Sequence, residues 1–222
     1  AVVIEATAAG GTHRYQKIVK FRNLKELGDI VSPHSYRILK KDCLDLPDKV
    51  YTKREVELSD EQKKAYGEMK ANAMSMLNGQ SMTAVNVLTQ LIRLHQITCG
   101  HMKTDSAEIL DLKSNRLDEL MQILGETSGK VIIWANYIHD IEAIEKMIKK
   151  EFGDDSYCTY YGATPTEDRQ KCINKFQDPD SKLRFFIGNT QTGGYGITLT
   201  EASTVIYYSN NYDLEKRIQS ED

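Results

Sequence analysis

The sequence predicts an α/β fold in which a parallel sheet is flanked by helices. Continuous apolar runs such as 131–135 (VIIWA) are typical of strands that are buried on both faces. After Lys113 these runs alternate with helical patterns, for example Ile138 to Phe152, and such alternation is typical of βαβ units. Ligands of parallel sheets bind beyond the carboxyl ends of the strands, so the loops at Asn136, Gly162, Asn189 and Ser209 are the first place to look for function.

The composition of the 222 residues is that of an ordinary globular protein, with 40% hydrophobic and 27% charged residues. The net charge is −3, from 29 basic and 32 acidic residues, so any nucleic-acid site must be a local patch. No apolar run approaches the ~20 residues that span a bilayer, and the first residues lack the charged region of a signal peptide. We therefore expect a cytoplasmic protein with no membrane partner.

The four cysteines contain no Cys-x-x-Cys pair, which argues against a zinc ribbon and against a disulfide framework. We predict that they are buried small hydrophobic residues. They are Cys43, Cys99, Cys158 and Cys172. His95, Cys99 and His101 lie close together in the sequence, but no fourth ligand follows at zinc-like spacing, and we predict no metal site.

The first 112 residues precede the α/β pattern. An irregular connector is predicted first, with a short helical pattern near Leu24 to Ile30 and a break at Ser32-Pro33. Apolar and polar residues alternate from Val50 to Leu58, which predicts a half-exposed strand. We divide the chain into a connector (1–49), a strand with a helical protrusion (50–112) and an α/β domain (113–222).

Two helices are predicted for the protrusion. Ser59 and Gln62 have the spacing of a capping box, in which two side chains satisfy backbone N–H groups at a helix start. That helix should end at Gly79, because glycine tolerates the left-handed conformation that closes a helix. A second helical pattern runs from about Met82 and ends before Gly100.

The α/β domain is predicted to begin with a helix capped by Ser114. A strand at 131–135 and a helix at 138–152 follow it. The remaining predicted elements are a strand at 157–161, a helix that begins at Pro165, a strand at 183–187, a short helix near 199–202, a strand at 204–208 and a helix from Tyr212.

A glycine-rich run, Gly188 to Leu199, follows a buried strand and is the densest local signal. Three glycines within four residues let the backbone approach a phosphate closely, although a tight turn without a ligand explains them equally well. Residues 125–130 read GETSGK, which has the wrong glycine spacing for a Walker A loop. The chain therefore lacks the parts that bind magnesium and triphosphate.

Four runs in order resemble the second lobe of Swi/Snf-type members of helicase superfamily two. They are KVIIWANYIHDIEAIEKMI, YYGATPTEDRQKCINKF, RFFIGNTQTGGYGITLTEASTVIYYS and QSED, between Lys130 and Asp222. Upstream residues between Arg37 and Tyr66 resemble the family's join between its two lobes. The resemblance implies a RecA-like (P-loop NTPase-like) lobe in 113–222, a helical protrusion in 50–112, and a connector with the tail of the first lobe in 1–49.

The resemblance also implies roles for individual residues. Residues 162–169 match the family's G-x-T-x(4)-R element, and residues 189–196 match S-T-x-x-G-G-x-G with asparagine in place of serine. For DNA contact it implies Asn136, Gly162, Thr164, Arg169, Asn189, Thr190 and Gln191. For the ATP side it implies Gly193, Gly194, Gly196, Gln219 and Asp222. Without the resemblance, Arg169 would be interpreted as a helix-surface residue paired with Glu167 or Asp168, and Trp134 as a core residue.

The end of the sequence resembles the opening of the family motif Q-x-x-D-R-x-x-R and stops before its arginines. In the family those arginines reach the γ-phosphate of ATP, and such a residue can be worth ~10³ to 10⁵ in rate. We therefore expect no catalytic residue within the chain and no ATP hydrolysis by the chain alone.

The resemblance implies the C-terminal lobe of an ATP-dependent DNA translocase or helicase, in which a larger protein is the DNA-dependent hydrolase. Its expected partners are double-stranded DNA and a first lobe of the same polypeptide, through which magnesium would join ATP, and the expected state is a monomer. Helical protrusions of this family imply a preference for duplex DNA. The alternative is a catalytically inert RecA-like lobe that binds DNA or protein.

Overall fold

The computed structural model describes residues 2–8, 11–17, 20–36, 38, 43, 47–79, 84–104, 106–193 and 196–221. The chain divides into two compact units, one up to Thr52 and one from Lys53 onward. The domain boundaries that we placed after residues 49 and 112 stay predictions.

The first unit contains a hairpin and a helix. Strand β1 (Val2–Ala8) pairs antiparallel with β2 (Gly11–Lys17), and helix α1 spans Leu24–Val31 before a 3₁₀ turn at Ser32–His34. The helix and the break after it were predicted, but the expectation of an irregular start was wrong. The β-branched residues of β1 favour a strand, and this was the signal that we missed.

The strand predicted from Val50 to Leu58 was wrong. None of the described residues 47–59 lies in a helix or strand, and the side chains of Val50 and Tyr51 are 86% and 68% exposed. An alternating pattern becomes a strand only where a neighbouring strand takes its N–H and C=O groups, and the pattern alone does not supply that neighbour.

The two predicted helices form an antiparallel pair, α2 (Asp60–Gly79) and α3 (Ala84–Cys99). The capping box is confirmed: the Ser59 N–H donates to Oε1 of Gln62 and the Gln62 N–H donates to Oγ of Ser59, both at 3.1 Å. The buried amide of Gln62 also donates to the carbonyl of Ile97 at 2.7 Å, which ties the start of α2 to the end of α3. Within the described ranges no helix is both long and apolar enough to cross a membrane.

A short hairpin that the sequence analysis did not predict follows α3. Strand β3 (His101–Lys103) pairs antiparallel with β4 (Ile109–Asp111), with His101 opposite Asp111. Three residues are too few to show a period-two pattern, so only the fold reveals these strands.

The rest of the second unit is the predicted α/β domain. Its four strands are all parallel and lie in the order β6-β7-β5-β8, which confirms the fold class. The elements in chain order are α4 (Arg116–Glu126), β5 (Lys130–Trp134), α5 (Ile138–Phe152), β6 (Tyr157–Tyr160), α6 (Thr166–Gln177), β7 (Phe185–Gly188), α7 (Thr190–Gly193), β8 (Ala202–Tyr207) and α8 (Leu214–Gln219).

The short helix predicted near 199–202 was wrong, because this segment is a turn and the short helix α7 lies earlier, in the glycine-rich run. The amide of Gln177 donates to Oγ1 of Thr200 at 3.0 Å and accepts from the backbone N–H of Glu201 at 3.1 Å. The side chain of Gln177 from α6 thus holds Thr200 and Glu201 in the turn that leads into β8.

The sheet has an apolar core on each face. Val131 and Ile133 of β5 pack on one side with buried residues of α4 and α5, whereas Ile132 and Trp134 pack on the other with residues of α6. Because successive side chains of a strand point to opposite faces, the single run VIIW supplies both cores. This explains why that run is apolar without interruption.

Gln62 offers a test of the helical pair. Replacing Gln62 with alanine is expected to lower the free energy of unfolding by about 1–3 kcal/mol, because the variant loses the side-chain half of the capping box and the buried bond to Ile97. Denaturant titration of the two proteins measures the difference. Lys64→Ala, at an exposed position on the same helix, should change stability by no more than about 0.5 kcal/mol. Equal effects of the two substitutions would contradict the assignment.

Candidate functional site

The predicted site residues gather where the four parallel strands end, an edge that we call the carboxyl edge. Asn136 follows β5, the loop 161–165 follows β6, Asn189 follows β7 and Ser209 follows β8. Since the strands are parallel, their carboxyl ends lie along one side of the sheet. The fold thus brings together residues that are up to 73 positions apart in the chain.

Asn136 is the centre of a hydrogen-bonded network at this edge. Its carbonyl accepts from Nδ2 of Asn189 at 2.9 Å, and its N–H donates to Oγ of Ser209 at 2.8 Å. Ser209, which is buried, donates in turn to Oδ2 of Asp140 at 2.8 Å. Three loops are therefore held in register by short polar side chains, and Oδ1 of Asn189 also accepts from the backbone N–H of Gln191 at 2.7 Å.

The loop after β6 is closed by two of the predicted DNA contacts. Oγ1 of Thr164 accepts from the N–H of Tyr161 and donates to the carbonyl of Thr159, both at 3.2 Å. The guanidinium of Arg169 donates to the carbonyls of Tyr161 and Gly162 at 3.0 and 3.2 Å. The alternative pairing of Arg169 with Asp168 is not the one observed, because Lys171 contacts that carboxylate at 2.9 Å.

These bonds divide the predicted DNA contacts into two groups. The side chains of Asn189, Thr164 and Arg169 are engaged in shaping the loops. Gln191 is exposed on α7, and Gly162 is exposed with open space around the position of a Cβ. Surfaces that remain available to a phosphate are therefore the exposed backbone of the loops and the amide of Gln191.

The glycines next to β7 are explained by the indole of Trp134. A Cβ on Gly188 would lie 2.8 Å from Cζ3 of Trp134. A Cβ on Gly193 would lie 3.0 Å from Cη2 of Trp134 and 3.1 Å from Cδ1 of Tyr160. Because Trp134 is 2% exposed and packs edge-on against Phe186, it cannot move away. Trp134 is a core residue, as predicted, and packing against it favours glycine at 193.

Gly193 and Gln219, both predicted for the ATP side, line one cavity of about 230 Å³ together with Trp134. Gly196, also predicted there, has a φ of +71° with open space around it, a conformation that favours glycine. Gly194 and Asp222, the other two predicted residues, lie outside the described residues.

The helix that carries Gln219 is fastened to the sheet. Nε1 of Trp134 donates to the carbonyl of Ser220 at 3.4 Å, and the hydroxyls of Tyr207 and Ser220 are 2.6 Å apart. The guanidinium of Arg217 lies 3.1 Å from the centroid of the Tyr207 ring. The cavity is therefore bounded by an ordered helix.

Three polar side chains, those of Cys99, Tyr208 and His95, lie behind the network near Asp140. Burial raises the pKa of the Cys99 thiol to about 12 and also raises the pKa of Tyr208. Burial, with the neighbouring Arg116, lowers the pKa of His95, whose Nδ1 is 2.8 Å from the hydroxyl of Tyr137. A thiol with a raised pKa stays protonated at neutral pH and is a poor nucleophile.

The prediction for the cysteines was wrong for three of the four. Cys158 of β6 and Cys172 of α6 form a disulfide with a Cα–Cα distance of 5.8 Å, and Cys43 is exposed. Only Cys99 is a buried free thiol. Cys158 and Cys172 are 14 positions apart, and no spacing rule pairs them without the βα geometry. Disulfides are rare in reducing compartments, so the redox state of this pair also tests the predicted cytoplasmic location.

Residues 113–222 match a family model described as the helicase conserved C-terminal domain. This part of the chain belongs to that family and is a C-terminal helicase lobe. The matched range coincides with the α/β domain and contains the whole carboxyl edge, so the network around Asn136 is a feature of the helicase lobe.

The resemblance to Swi/Snf-type proteins is confirmed by relatives that are chromatin-remodeling factors or helicases and by similar solved structures of a SWI2/SNF2 ATPase. The chain is 27% identical to the CHD3-type chromatin-remodeling factor CHR7 of Arabidopsis thaliana over 98% of its length and 19% of that protein. It is 29% identical to the putative ATP-dependent helicase/translocase YwqA of Bacillus subtilis over 86% of its length and 22% of that protein. The chain spans about a fifth of the length of these curated relatives.

A solved structure extends the likeness to three dimensions. The Sulfolobus solfataricus SWI2/SNF2 ATPase core in complex with dsDNA is similar with a TM-score of 0.62 and 27% identity, over 84% of this chain and 41% of that one. The fold of the helicase lobe, with the helices before it, is therefore shared with an ATPase core that was solved on duplex DNA.

Sequence reasoning located the loop at Ser209 but missed two other residues of the edge. Asp140 completes the network through Ser209, and Nδ2 of Asn211 lies 3.5 Å from Oγ1 of Thr190. Asn211 follows a buried strand, and that position was a usable signal. Asp140 gave none, because an acidic residue in the first turn of a helix is ordinary.

The packing of Trp134 against the glycine loop is testable. Gly193→Ala is expected to lower the free energy of unfolding by about 1–3 kcal/mol, because the added methyl group overpacks a site whose neighbours are buried. Gly162→Ala adds the same methyl group in open space and should change stability by no more than about 0.5 kcal/mol. Thermal or denaturant unfolding of both variants measures the difference in stability. If Gly193→Ala is as stable as Gly162→Ala, the indole of Trp134 is able to move and the assignment is wrong.

Alkylation of the folded chain tests the cysteine assignments. Iodoacetamide, applied to protein purified without reductant, is expected to modify the exposed Cys43 and to spare Cys99, which is 4% exposed. Cys158 and Cys172 should take label only after reduction. Peptide mass spectrometry reads the pattern, and unfolding before alkylation is the control that exposes Cys99. Label on Cys158 or Cys172 without reduction would contradict the disulfide.

Proposed function

We propose that this chain supplies the second lobe of an ATP-dependent DNA translocase, with its carboxyl edge directed towards the DNA backbone. The observation that carries the proposal is the hydrogen-bonded convergence of Asn136, Asn189 and Ser209. Their hydrogen bonds fix three loops side by side, and a surface that binds a DNA strand needs loops held in fixed positions. The dsDNA complex of a similar ATPase core supports duplex DNA as the ligand.

Contact through backbone N–H groups and one amide suits this function. Phosphate contacts position a protein on DNA without reading its sequence, and a motor that moves along DNA must be indifferent to sequence. The net charge of −3 offers no general attraction, so the isolated chain should bind DNA weakly and with a steep dependence on salt. Affinity then depends on the loops and on the first lobe.

In the same proposal the cavity beside Gly193 and Gln219 forms one wall of the ATP site. The first lobe of the larger protein supplies the phosphate-binding loop and the magnesium ligands, and closure of the two lobes around ATP shifts the grip on DNA. The support is the lining of the cavity, which joins Gly193 of the glycine loop to Gln219 of α8 over one face of the sheet. The chain alone is not expected to hydrolyse ATP.

The experiment uses the chain joined to its first lobe, with DNA-stimulated ATP hydrolysis and duplex affinity as readouts. Gln191→Ala should weaken duplex binding about two- to tenfold, which corresponds to one hydrogen bond of ~0.5–1.5 kcal/mol. Gln219→Ala should raise the KM for ATP by a similar factor and leave duplex affinity unchanged. The two variants therefore separate the DNA surface from the ATP wall.

Gln170→Ala is the matched control, because this amide is exposed on α6 and bonds only locally with Asn174 in the structure. It should change neither readout. Absence of DNA-stimulated hydrolysis in the joined protein would overturn the motor and favour an inert lobe that binds DNA or protein. Equal effects of the Gln191 and Gln170 substitutions would overturn the assignment of the DNA surface.

A further inference from the structure

Three potential metal ligands meet between the β3–β4 hairpin and the start of α5. His101 comes from β3, and His139 and Asp140 come from the first turn of α5. One ligand atom of each lies within 4.8 Å of the others. His101 and Asp140 are 2% and 1% exposed, so the group is inside the protein and apart from the carboxyl edge surface.

Each of these residues has a buried polar atom without a hydrogen-bond partner. They are Nδ1 of His101, Nδ1 of His139 and Oδ1 of Asp140. Nδ1 of His101 is 3.3 Å from Oδ1 of Asp140. Buried polar atoms are nearly always satisfied, because leaving one without a partner costs roughly 1–3 kcal/mol. Three such atoms from three neighbouring side chains indicate a ligand that all three share.

The other polar atoms of two of these side chains are already bonded. Nε2 of His139 is 2.6 Å from Oδ1 of Asp111, and Oδ2 of Asp140 accepts from Ser209 at 2.8 Å. Metal-binding histidines characteristically bond their second nitrogen to a carboxylate, and metal-binding carboxylates are themselves hydrogen-bonded, which fixes both ligands in orientation. The cluster has this outer support.

We propose that His101, His139 and Asp140 bind one divalent transition-metal ion, of which Zn²⁺ suits the donors best. Two imidazole nitrogens and one carboxylate oxygen are ligands typical of zinc. Calcium and magnesium prefer oxygen ligands alone. Three protein donors leave the fourth position of a tetrahedral ion to water.

The site differs from the one that the sequence suggests. His95, Cys99 and His101 are close in the chain, but Nδ1 of His95 is engaged with Tyr137 and Sγ of Cys99 accepts from Arg116 at 3.4 Å. The partners of His101 lie 38 and 39 positions downstream. An ion here would fasten the hairpin after the helical pair to α5, whose Asp140 also supports Ser209 and the Asn136 loop.

The test is metal binding by the 222-residue chain, prepared without a histidine tag and stripped with a chelator. Co²⁺, a spectroscopic substitute for Zn²⁺, should give visible d–d absorption that saturates at one ion per chain. Zn²⁺ should then displace it, and competition with a chromophoric chelator gives the affinity. Neither DNA nor ATP is needed, so the result is independent of the proposed function.

His139→Gln and Asp140→Asn should each abolish the cobalt spectrum and weaken Zn²⁺ binding at least tenfold. Asp111→Asn, which removes only the outer support of His139, should weaken it about 10- to 100-fold. His34→Gln, at an exposed histidine, should change nothing. Circular dichroism establishes that each variant is folded, and His139, whose side chain is 24% exposed, is the position that best tolerates substitution.

The proposal is overturned if the stripped wild-type chain gives no cobalt spectrum, or if His139→Gln binds Zn²⁺ as tightly as His34→Gln does. In the first case the cluster is a direct contact between His101 and Asp140 without an ion. In the second case any bound metal lies elsewhere.

Discussion

The position of Trp134 sets the geometry of the helicase lobe. Trp134 is the last residue of β5 and is 2% exposed. Its indole packs against Gly188 and Gly193, one at each end of the loop that follows β7. A Cβ at 188 would lie 2.8 Å from the ring and one at 193 would lie 3.0 Å from it, so packing against the indole favours glycine at both positions. The loop with Asn189, Thr190 and Gln191 is therefore pressed onto the end of the sheet. The same indole bonds to Ser220 and holds the terminal helix.

A second constraint keeps the neighbouring loops aligned. Asp140, Ser209, Asn136 and Asn189 form a continuous chain of hydrogen bonds from the buried side of α5 to the carboxyl edge. In a low-dielectric interior such bonds are strong and reinforce one another. A change at Asp140 would thus reach Asn189 through two intermediate residues. The candidate metal cluster lies at the inner end of this series of hydrogen bonds. Asp140 belongs to both, so it contributes to the stability of the fold and to the position of the loops.

Much of the fold, and the location of the candidate site, could be read from the sequence. The run 131–134 supplied the strand because it is apolar on both faces, and Ser59 with Gln62 supplied a helix start because the capping box needs only local contacts. Polar residues after buried strands located the carboxyl edge. The misses depend on contacts or lengths that a local pattern does not show: the strand predicted from Val50 lacks a partner, Gln177 holds the segment near Leu199 in a turn, and the β3–β4 hairpin is too short for a pattern.

The sequence by itself determined the α/β class, the order of its elements and the membership of the helicase family, because periodicity and motif spacing are local properties of the chain. Tertiary structure alone decided which of the motif residues face outward. Arg169 and Asn189 close loops and Gln191 remains exposed, since each bond joins groups that the chain separates. The pairing of Cys158 with Cys172 and the meeting of His101 with Asp140 were decided in the same way, by strand order and helix packing.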